Sequence, residues 1–287
     1  MPETTTIEGA EYTLVGVQRG GLAVYRGDGG YLRIGDGGSV ARDVASHREM
    51  EQAGYPVAQI LSEGATIGGN YYIEASQGDI SFRNLFSTEI QKDGRITDAT
   101  FNRFLNIVEQ YLRRQIATKR VNDASVFKRR IKLDVLFAEM PQYADTLETR
   151  FGQAMEALSD MPYVLSHGDF NPANLYERGV IDLEDALSAP FGYDAVTALA
   201  TVDWVPPHGD YEYTRSYTYT PEQNAKYLEL VDRIAIENGL QKVSTLYPAL
   251  EFCRAVWMIS DLQKWPKAQA YEHEHFMRKY LSESFSF

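Results

Sequence analysis

The chain has 287 residues, of which 44% are hydrophobic and 24% charged, an ordinary globular mixture that argues against a disordered or fibrous protein. Its net charge is -12, and residues 160–287 alone carry 10 basic and 19 acidic side chains, which argues against nucleic acid as the main partner. No run of about 18 apolar residues is present, and the first residues lack the basic and apolar stretches of a signal peptide. These features predict a soluble, cytoplasmic protein of one large domain or two smaller ones.

Short runs of β-type residues separated by glycine fill residues 12–73. Strands are predicted at 12–17, 22–26 and 31–34. A hairpin turn is predicted at 28–30 and a second one at 68–70, because the glycines there supply the positive φ that tight turns need. Between the two hairpins, Ser39 is the predicted N-cap of a helix that runs to about Ala53.

Helical patterns dominate the rest of the chain. Between Phe101 and Gln115 the apolar residues recur at helical spacing and form one stripe. A β-type run opens into a polar segment at 163–169, and the pattern is helical again after about Asp194, apart from a Tyr-rich insert at 205–221. Strands first and helices later predict an α+β fold with a cleft between two lobes. The first would be a small antiparallel-sheet N-terminal lobe with one helix, and the second a larger, mainly helical C-terminal lobe.

The residues with catalytic chemistry are concentrated at 167–184. His167-Gly168-Asp169 is followed by Asn174, five residues after the aspartate, and a β-type run then leads into Ile181-Asp182. Phosphoryl transfer needs a positioned carboxylate for the attacking hydroxyl and oxygen ligands for Mg²⁺, which neutralises the phosphates. Asp169 can accept the proton, and Asn174 and Asp182 can hold the metal. Turn capping is the competing explanation, but it does not account for the full spacing.

This stretch resembles the catalytic and metal-binding loops of the aminoglycoside phosphotransferase family, the small-molecule branch of the protein-kinase-like fold. The resemblance implies a two-lobed kinase-like protein that uses ATP and Mg²⁺. It implies an ATP-binding N-terminal lobe at 1–78, with the hinge at about 73–78, and a C-terminal lobe at 79–287. The C-terminal lobe would carry the catalytic loop at 167–174 and the metal loop at 180–185.

The resemblance also implies roles for individual residues of these loops. Asp169 matches the family's catalytic aspartate, and Asn174 and Asp182 match its two metal ligands. His167 would orient the catalytic loop, and Asp194 matches a later aspartate that would brace it.

The N-terminal lobe would hold the nucleotide. The implied nucleotide-binding residues are Gly20, Gly21, Arg33, Asp43, Glu74 and Ser76. The two glycines would form the turn over the ATP phosphates, while the carbonyl of the glutamate and the amide of the serine would bond adenine. Arg33 stands where the family has a phosphate-pairing lysine, and it keeps the charge on a longer, planar side chain. Its expected carboxylate partner is Asp43, with Glu49 as the alternative.

The acceptor is expected to be a small, polar and cationic molecule, such as an aminoglycoside-like antibiotic, an amino alcohol or an amino sugar. The family binds its acceptor in the helical lobe, which is the acidic half of this chain. The carboxylates that could face it, each more often a solvated charge, are Asp203, Asp210, Glu212, Glu222, Glu272 and Glu274. Tyrosines at 211, 213, 217 and 219 form either an aromatic wall over the acceptor or packing on the lobe.

Two other function classes stay open. One is a catalytically weak nucleotide-binding module, for which Arg33 would be a sign of drift and against which the intact Asp-Asn-Asp set argues. The other is a protein kinase, which is disfavoured because the His-Arg-Asp, Asp-Phe-Gly and Ala-Pro-Glu signatures are absent from the sequence. Neither nucleic acid nor a membrane is an expected partner.

Overall fold

The computed structural model describes residues 2–17, 21–260, 265–282, 285 and 287. Its N-terminal part is a six-stranded antiparallel sheet with one helix packed against it. The elements of this part are β1 (Thr4–Ile7), β2 (Ala10–Val17), β3 (Ala23–Arg26), β4 (Gly30–Gly35), α1 (Gly37–Gln52), β5 (Ile60–Thr66) and β6 (Gly69–Ala75). The strand order is β1-β2-β3-β4-β6-β5, so β6 lies between β4 and β5.

The remainder is mainly helical, with two short strand pairs. Its elements are α2 (Phe82–Asp93), α3 (Asp98–Gln115), α4 (Ala124–Arg130), α5 (Leu133–Glu139), α6 (Ala144–Ala157), β7 (Tyr163–Ser166), β8 (Leu175–Tyr176), β9 (Gly179–Val180), β10 (Leu187–Pro190), α7 (Tyr193–Trp204), α8 (Pro221–Glu237), α9 (Tyr247–Ile259) and α10 (Pro266–Tyr280). β7 pairs with β10 and β8 pairs with β9, both antiparallel. The predicted α+β fold, with a sheet first and helices later, is confirmed.

Local sequence signals explain most boundaries in the sheet region. The turn predicted at 28–30 joins β3 to β4, with the amide of Gly27 donating to the carbonyl of Gly30 at 3.0 Å. The helix predicted from Ser39 begins two residues earlier, at Gly37, because Asp36 is the N-cap. The Asp36 carboxylate accepts the amides of Gly38 and Ser39 at 2.9 and 3.0 Å, and an ionised cap at the positive end of a helix is favoured.

The core lies in the helical part, and its apolar stripe on α3 is the predicted one. Phe104, Ile107, Val108 and Tyr111 are all buried on this helix. In the core, β7 pairs with β10, and the end of β7 lies opposite the start of β10. The loop that follows β7 therefore lies next to the loop that joins β9 to β10. These two loops are the predicted catalytic and metal loops.

The insert at 205–220 forms neither helix nor strand, as predicted. Tyr217 and Tyr219 pack into the core, with ring centroids 5.4 Å from Phe86 and 6.2 Å from Phe104, respectively. Within the described parts of the chain, no helix has both the length and the apolar character that crossing a membrane would need.

Candidate active site

The catalytic loop begins where β7 ends and is held by a buried carboxylate in the first turn of α7. Asp194 accepts the amide of His167 at 2.8 Å through Oδ2 and the amide of Gly168 at 3.0 Å through Oδ1. It also accepts from the Tyr111 hydroxyl and from Nε2 of Gln115, each at 2.7 Å. Charge-assisted bonds to two consecutive amides fix the backbone there. The bracing role predicted for Asp194 is confirmed.

His167 links the catalytic loop to the metal loop. Its side chain is buried, and Nδ1 accepts the amide of Asp169 at 3.3 Å. Nε2 therefore carries the proton and donates it to the carbonyl of Ile181 at 2.8 Å. Because Ile181 directly precedes Asp182, this bond fixes one loop relative to the other, which is the orienting role predicted for His167.

Gly168 occupies a position that only glycine fits. Its φ is +86°, and a Cβ on it would lie 2.1 Å from the carbonyl oxygen of Asp185. The missing side chain therefore allows the catalytic loop to lie directly against the metal loop.

We expect Gly168→Ala to destabilise the protein by more than the roughly 1–2 kcal/mol that a left-handed backbone costs a residue with a Cβ. The extra loss arises because the Asp185 carbonyl must move. Gly94→Ala is the matched control, since Gly94 has φ +72° and no atom of the described chain lies within 4 Å of its Cβ position. Urea unfolding of both variants measures the difference, and equal losses would contradict the importance of the close approach.

The Asp169 carboxylate is held by two side chains from different parts of the fold. Arg254 on α9 donates from Nη2 to Asp169 Oδ1 at 2.6 Å and from Nη1 to the Gly168 carbonyl at 2.8 Å. Asn174 donates from Nδ2 to Asp169 Oδ2 at 3.1 Å. Burial would raise the pKa of Asp169, but the Arg254 charge opposes this and the pKa lies below its usual value. The group is thus ionised at neutral pH and is able to accept a proton.

Arg254 was not identified from the sequence. Its side chain is buried, and its guanidinium carbon lies 4.1 Å from the centroid of the Trp257 ring. The sequence did contain one signal, since Arg254 is the single charged residue in the otherwise apolar run 252–259. A charge that is buried with such a run needs a partner of opposite charge. The partner itself, 85 residues earlier in the chain, is visible only in the fold.

Asn174 and Asp182 lie at the same end of the β8–β9 hairpin. The amide of Ile181 donates to the Asn174 carbonyl at 3.0 Å, which holds the two segments together. Since Asn174 uses its side-chain nitrogen on Asp169, its side-chain oxygen remains as a metal-type donor. Asp182 has φ +69°, a sparsely populated conformation that is found preferentially at functional sites.

This donor set fits Mg²⁺. Within the described ranges, no three His, Cys, Asp or Glu side chains converge as a metal centre of their own. Mg²⁺ commonly takes one or two protein oxygens and completes its shell with phosphates and water, so Asn174 and Asp182 suffice. Burial raises the pKa of Asp182, and burial together with the charges of Asp182 and Asp185 raises the pKa of Glu184 to about 7. A bound cation would reduce the repulsion between these neighbouring carboxylates.

Arg33 has a different partner from the predicted one. Arg33 Nε donates to Glu74 Oε1 at 2.8 Å, so the prediction of Asp43 is corrected to Glu74. Asp43 instead accepts the Tyr72 hydroxyl at 2.5 Å, and the alternative, Glu49, pairs with an arginine on the surface. The physical reason is register: Arg33 on β4 lies opposite Tyr72 on β6, which brings the carboxylate two residues further along within reach.

The Arg33 side chain also reaches toward the metal loop. Its Nη1 lies 3.5 Å from Asp182 Oδ1, which joins the sheet to the loop that follows β9. Both arginine contacts are with carboxylates, and Arg33 and Glu74 are 2% and 1% exposed. A positive charge is therefore fixed beside the predicted metal ligand.

The remaining nucleotide-binding predictions are only partly described. Gly20 lies outside the described residues, and Gly21 is exposed with φ +84°. Glu74 belongs to β6, and its side chain is committed to Arg33. Ser76 follows the strand, where its hydroxyl donates to the Gly78 carbonyl at 3.2 Å and its carbonyl accepts from Arg178 at 2.9 Å. The adenine contacts stay predictions.

A cavity of about 420 Å³ opens beside Asp169 on the side of the helical lobe. Among the described residues, its charged lining residues are Arg83, Asp169, Arg215, Arg254 and Glu272, and its aromatic ones are Tyr213, Tyr217, Trp257 and Trp265. Of the six carboxylates expected near the acceptor, only Glu272 lines this cavity. Asp210 instead pairs with Lys267 at 2.7 Å, and Glu212 accepts two amides at the start of α10. The other five candidate carboxylates do not line the cavity.

Residues 91–227 match the family described as the phosphotransferase enzyme family. No curated protein gives a significant match to the sequence. The matched range contains the catalytic loop and the metal loop, so it covers the residues on which the sequence resemblance rests.

Solved structures share the fold over most of both chains. An aminoglycoside-3'-phosphotransferase of type VIII is 16% identical, with a TM-score of 0.54 over 85% of this chain and 94% of that one. An aminoglycoside phosphotransferase from Streptomyces rimosus, in complex with ADP and streptomycin, is 14% identical, with a TM-score of 0.50 over 84% and 93%. An ethanolamine kinase from Plasmodium vivax is 12% identical, with a TM-score of 0.60 over 95% and 83%.

The predicted resemblance to the aminoglycoside phosphotransferase family is confirmed, as is the kinase-like fold. The match and the shared fold support a small-molecule kinase.

Proposed function

We propose that this small-molecule kinase transfers the γ-phosphoryl group of ATP to a hydroxyl of a small polar acceptor, with Mg²⁺ as its cofactor. The observation that carries the proposal is the position of Asp169, whose ionised carboxylate borders a cavity large enough for a small ligand. The sheet places Arg33 within 3.5 Å of the neighbouring metal loop. A proton acceptor, a cavity for the acceptor and a cation for the phosphates are the parts that phosphoryl transfer uses, which supports the proposal.

Each residue has a defined task in this proposal. Asp169 takes the proton of the attacking hydroxyl, while Arg254 and Asn174 keep its two oxygens in place. Asn174 and Asp182 would hold Mg²⁺, which supplies charge neutralisation on the phosphates when bound. Arg33 would bind phosphate oxygens, and a guanidinium suits this because its planar donors match a phosphate edge.

Nucleotide use is supported by the kinase-like relatives, one of which is in complex with ADP. In the proposed arrangement ATP lies between the sheet and the metal loop, with Gly20 and Gly21 over its phosphates. Adenine would bond the backbone of Glu74 and Ser76 at the hinge.

Phosphoryl transfer from radiolabelled ATP to a panel of hydroxylated small molecules tests the proposal. We expect a labelled product with at least one acceptor, no transfer after chelation of divalent metal, and recovery on addition of Mg²⁺. Asp169→Asn is run in parallel, so that only turnover that depends on this carboxylate counts.

Two outcomes would contradict the proposal in different ways. Binding of ATP without any turnover that depends on Asp169 would favour a nucleotide-binding module. Label that appears on an added protein, and not on small molecules, would favour a protein kinase.

A further inference from the structure

Two arginines line the acceptor cavity, and no carboxylate of the described chain forms an ion pair with either, although the charge of Arg215 acts on nearby Asp203. Arg83 lies in the first turn of α2, and Arg215 lies in the irregular segment before α8. Neither forms an ion pair with a described residue, whereas the third arginine of the cavity, Arg254, is paired with Asp169 at 2.6 Å. Two positive charges from separate segments therefore face the same cavity.

Hydrogen bonds with backbone carbonyls fix the side chain of Arg215 and the main chain of Arg83 without cancelling either charge. Arg215 donates from Nη2 to the carbonyls of Asp203 and Val205 at 3.2 and 3.3 Å. The amide of Arg83 donates to the Pro172 carbonyl at 2.9 Å, which ties the start of α2 to the catalytic loop. A guanidinium has five donors, so both side chains keep donors for a ligand.

The two acidic side chains of the cavity that belong to the described residues are already bonded within the protein. The Asp169 carboxylate is bonded to Arg254 and Asn174. Glu272 is fully buried and accepts the Tyr213 hydroxyl at 2.5 Å, so it belongs to the wall and its charge is partly satisfied there. The side of the cavity that a ligand meets is consequently positive, although the helical half of the chain is acidic overall.

We propose that the acceptor carries an anionic group, a carboxylate or a phosphate, in addition to the hydroxyl that is phosphorylated, and that Arg83 and Arg215 bind this group. The inference rests on the proposed function, because it takes the cavity beside Asp169 as the acceptor site. Planar guanidinium donors fit the paired oxygens of either anion. This replaces the cationic acceptor that net charge predicts.

Matched ligands that differ by one anionic group test the proposal. Glycerol, glycerate and glycerol 3-phosphate form one series, ethanolamine and serine form a second, and streptomycin represents polycations. Each is titrated calorimetrically into the full chain without nucleotide, and each is then offered as an acceptor with ATP and Mg²⁺. We expect at least one anionic member to bind about 10-fold or more tightly than its uncharged or cationic counterpart. Glycerate against glycerol 3-phosphate distinguishes the two anions.

The variants separate charge recognition from folding. Arg83→Gln removes a side chain without an ion pair in the described chain, and Arg215→Lys keeps the charge where Arg215→Gln loses it. We expect both glutamine variants to reduce the preference for the anionic member about 10-fold and the lysine variant to retain part of it. The control is Arg95→Gln, which changes an exposed arginine outside the cavity and should leave the preference unchanged.

Several results would overturn the inference. One is that no anionic member binds, and another is that glycerol, ethanolamine or streptomycin binds as tightly as the anionic members or more tightly. A third is that the preference for the anionic member persists when both arginines are replaced. If the glutamine variants lose turnover equally with both members of a series, the arginines act on the transferred phosphoryl group. That result would also overturn the inference. Anion-selective binding without turnover that depends on Asp169 would reject the phosphotransfer proposal and leave the anion site standing.

Discussion

Replacing Asp169 with asparagine is expected to lower kcat by about 10²- to 10⁴-fold, which is the range that a positioned general base contributes. Asparagine has nearly the same shape and can still accept from Arg254, so binding of the acceptor should change much less than turnover. The measurement is steady-state kinetics with the acceptor found in the panel. Because the loss affects the transition state, kcat and kcat/KM should fall together.

The control for this change is Asp160→Asn, the same substitution at an exposed aspartate that accepts from Gln241 and does not line the cavity. It should leave both constants unchanged. A variant at Asp169 that keeps more than about a tenth of the wild-type kcat would lie outside the range for a general base and would argue that another group takes the proton.

Arg254 should act through Asp169, because its guanidinium contacts that carboxylate and the neighbouring carbonyl. A double-mutant cycle with Arg254→Gln and Asp169→Asn isolates this dependence. Arg254→Gln alone is expected to lower kcat, and it should add little in the Asp169→Asn background. Additive losses would show that the arginine contributes to transfer by a separate route.

The parts of the site that the sequence predicted are those that one short segment determines. His167, Asp169, Asn174 and Asp182 lie within 16 residues, and their spacing already implies a strand, a loop and a hairpin. Asp194 follows soon after, at the start of α7. The spacing of this segment therefore predicted the catalytic loop, and the family resemblance that the segment carries implied the residue that braces it.

Contacts that depend on strand register or on helix packing could not be predicted in this way. Arg33 and Glu74 are 41 residues apart, and only the pairing of β4 with β6 brings them together. The partner of Arg33 was expected on α1, which carries Asp43. The register of β4 and β6 instead places Glu74 within reach. Arg254 reaches Asp169 across 85 residues, through the packing of α9 against α7.

The proposed anionic acceptor differs from the one that net charge predicts, for a related reason. Most acidic residues of the second half either face solvent or are used internally, and Glu251 is an example. Its carboxylate accepts from Lys279 at 2.7 Å, Tyr280 at 2.8 Å and Trp204 at 3.2 Å. The cavity charge depends instead on a few arginines drawn from distant segments, which no sum over the sequence reveals.

The second large effect is expected at the buried pair of Arg33 and Glu74. Glu74→Gln removes the carboxylate at 2.8 Å from a guanidinium that is 2% exposed, and breaking a buried pair from one side typically costs about 3–5 kcal/mol. Urea unfolding measures the loss. Glu63→Gln is the matched control, since Glu63 pairs with Arg48 at 2.6 Å on the surface, where an ion pair contributes only about 0–1 kcal/mol.

The double variant Arg33→Met with Glu74→Leu separates stability from function. Removing both charges leaves neither member of the Arg33–Glu74 pair buried without its partner, so most of the stability lost in Glu74→Gln should return. Phosphate binding should not return with it, because Arg33 is also the cation beside Asp182. We therefore expect a folded protein with a higher KM for ATP than the wild type. Recovery of both properties would assign Arg33 to the fold alone, and a loss in Glu74→Gln no larger than that in Glu63→Gln would contradict the buried pair itself.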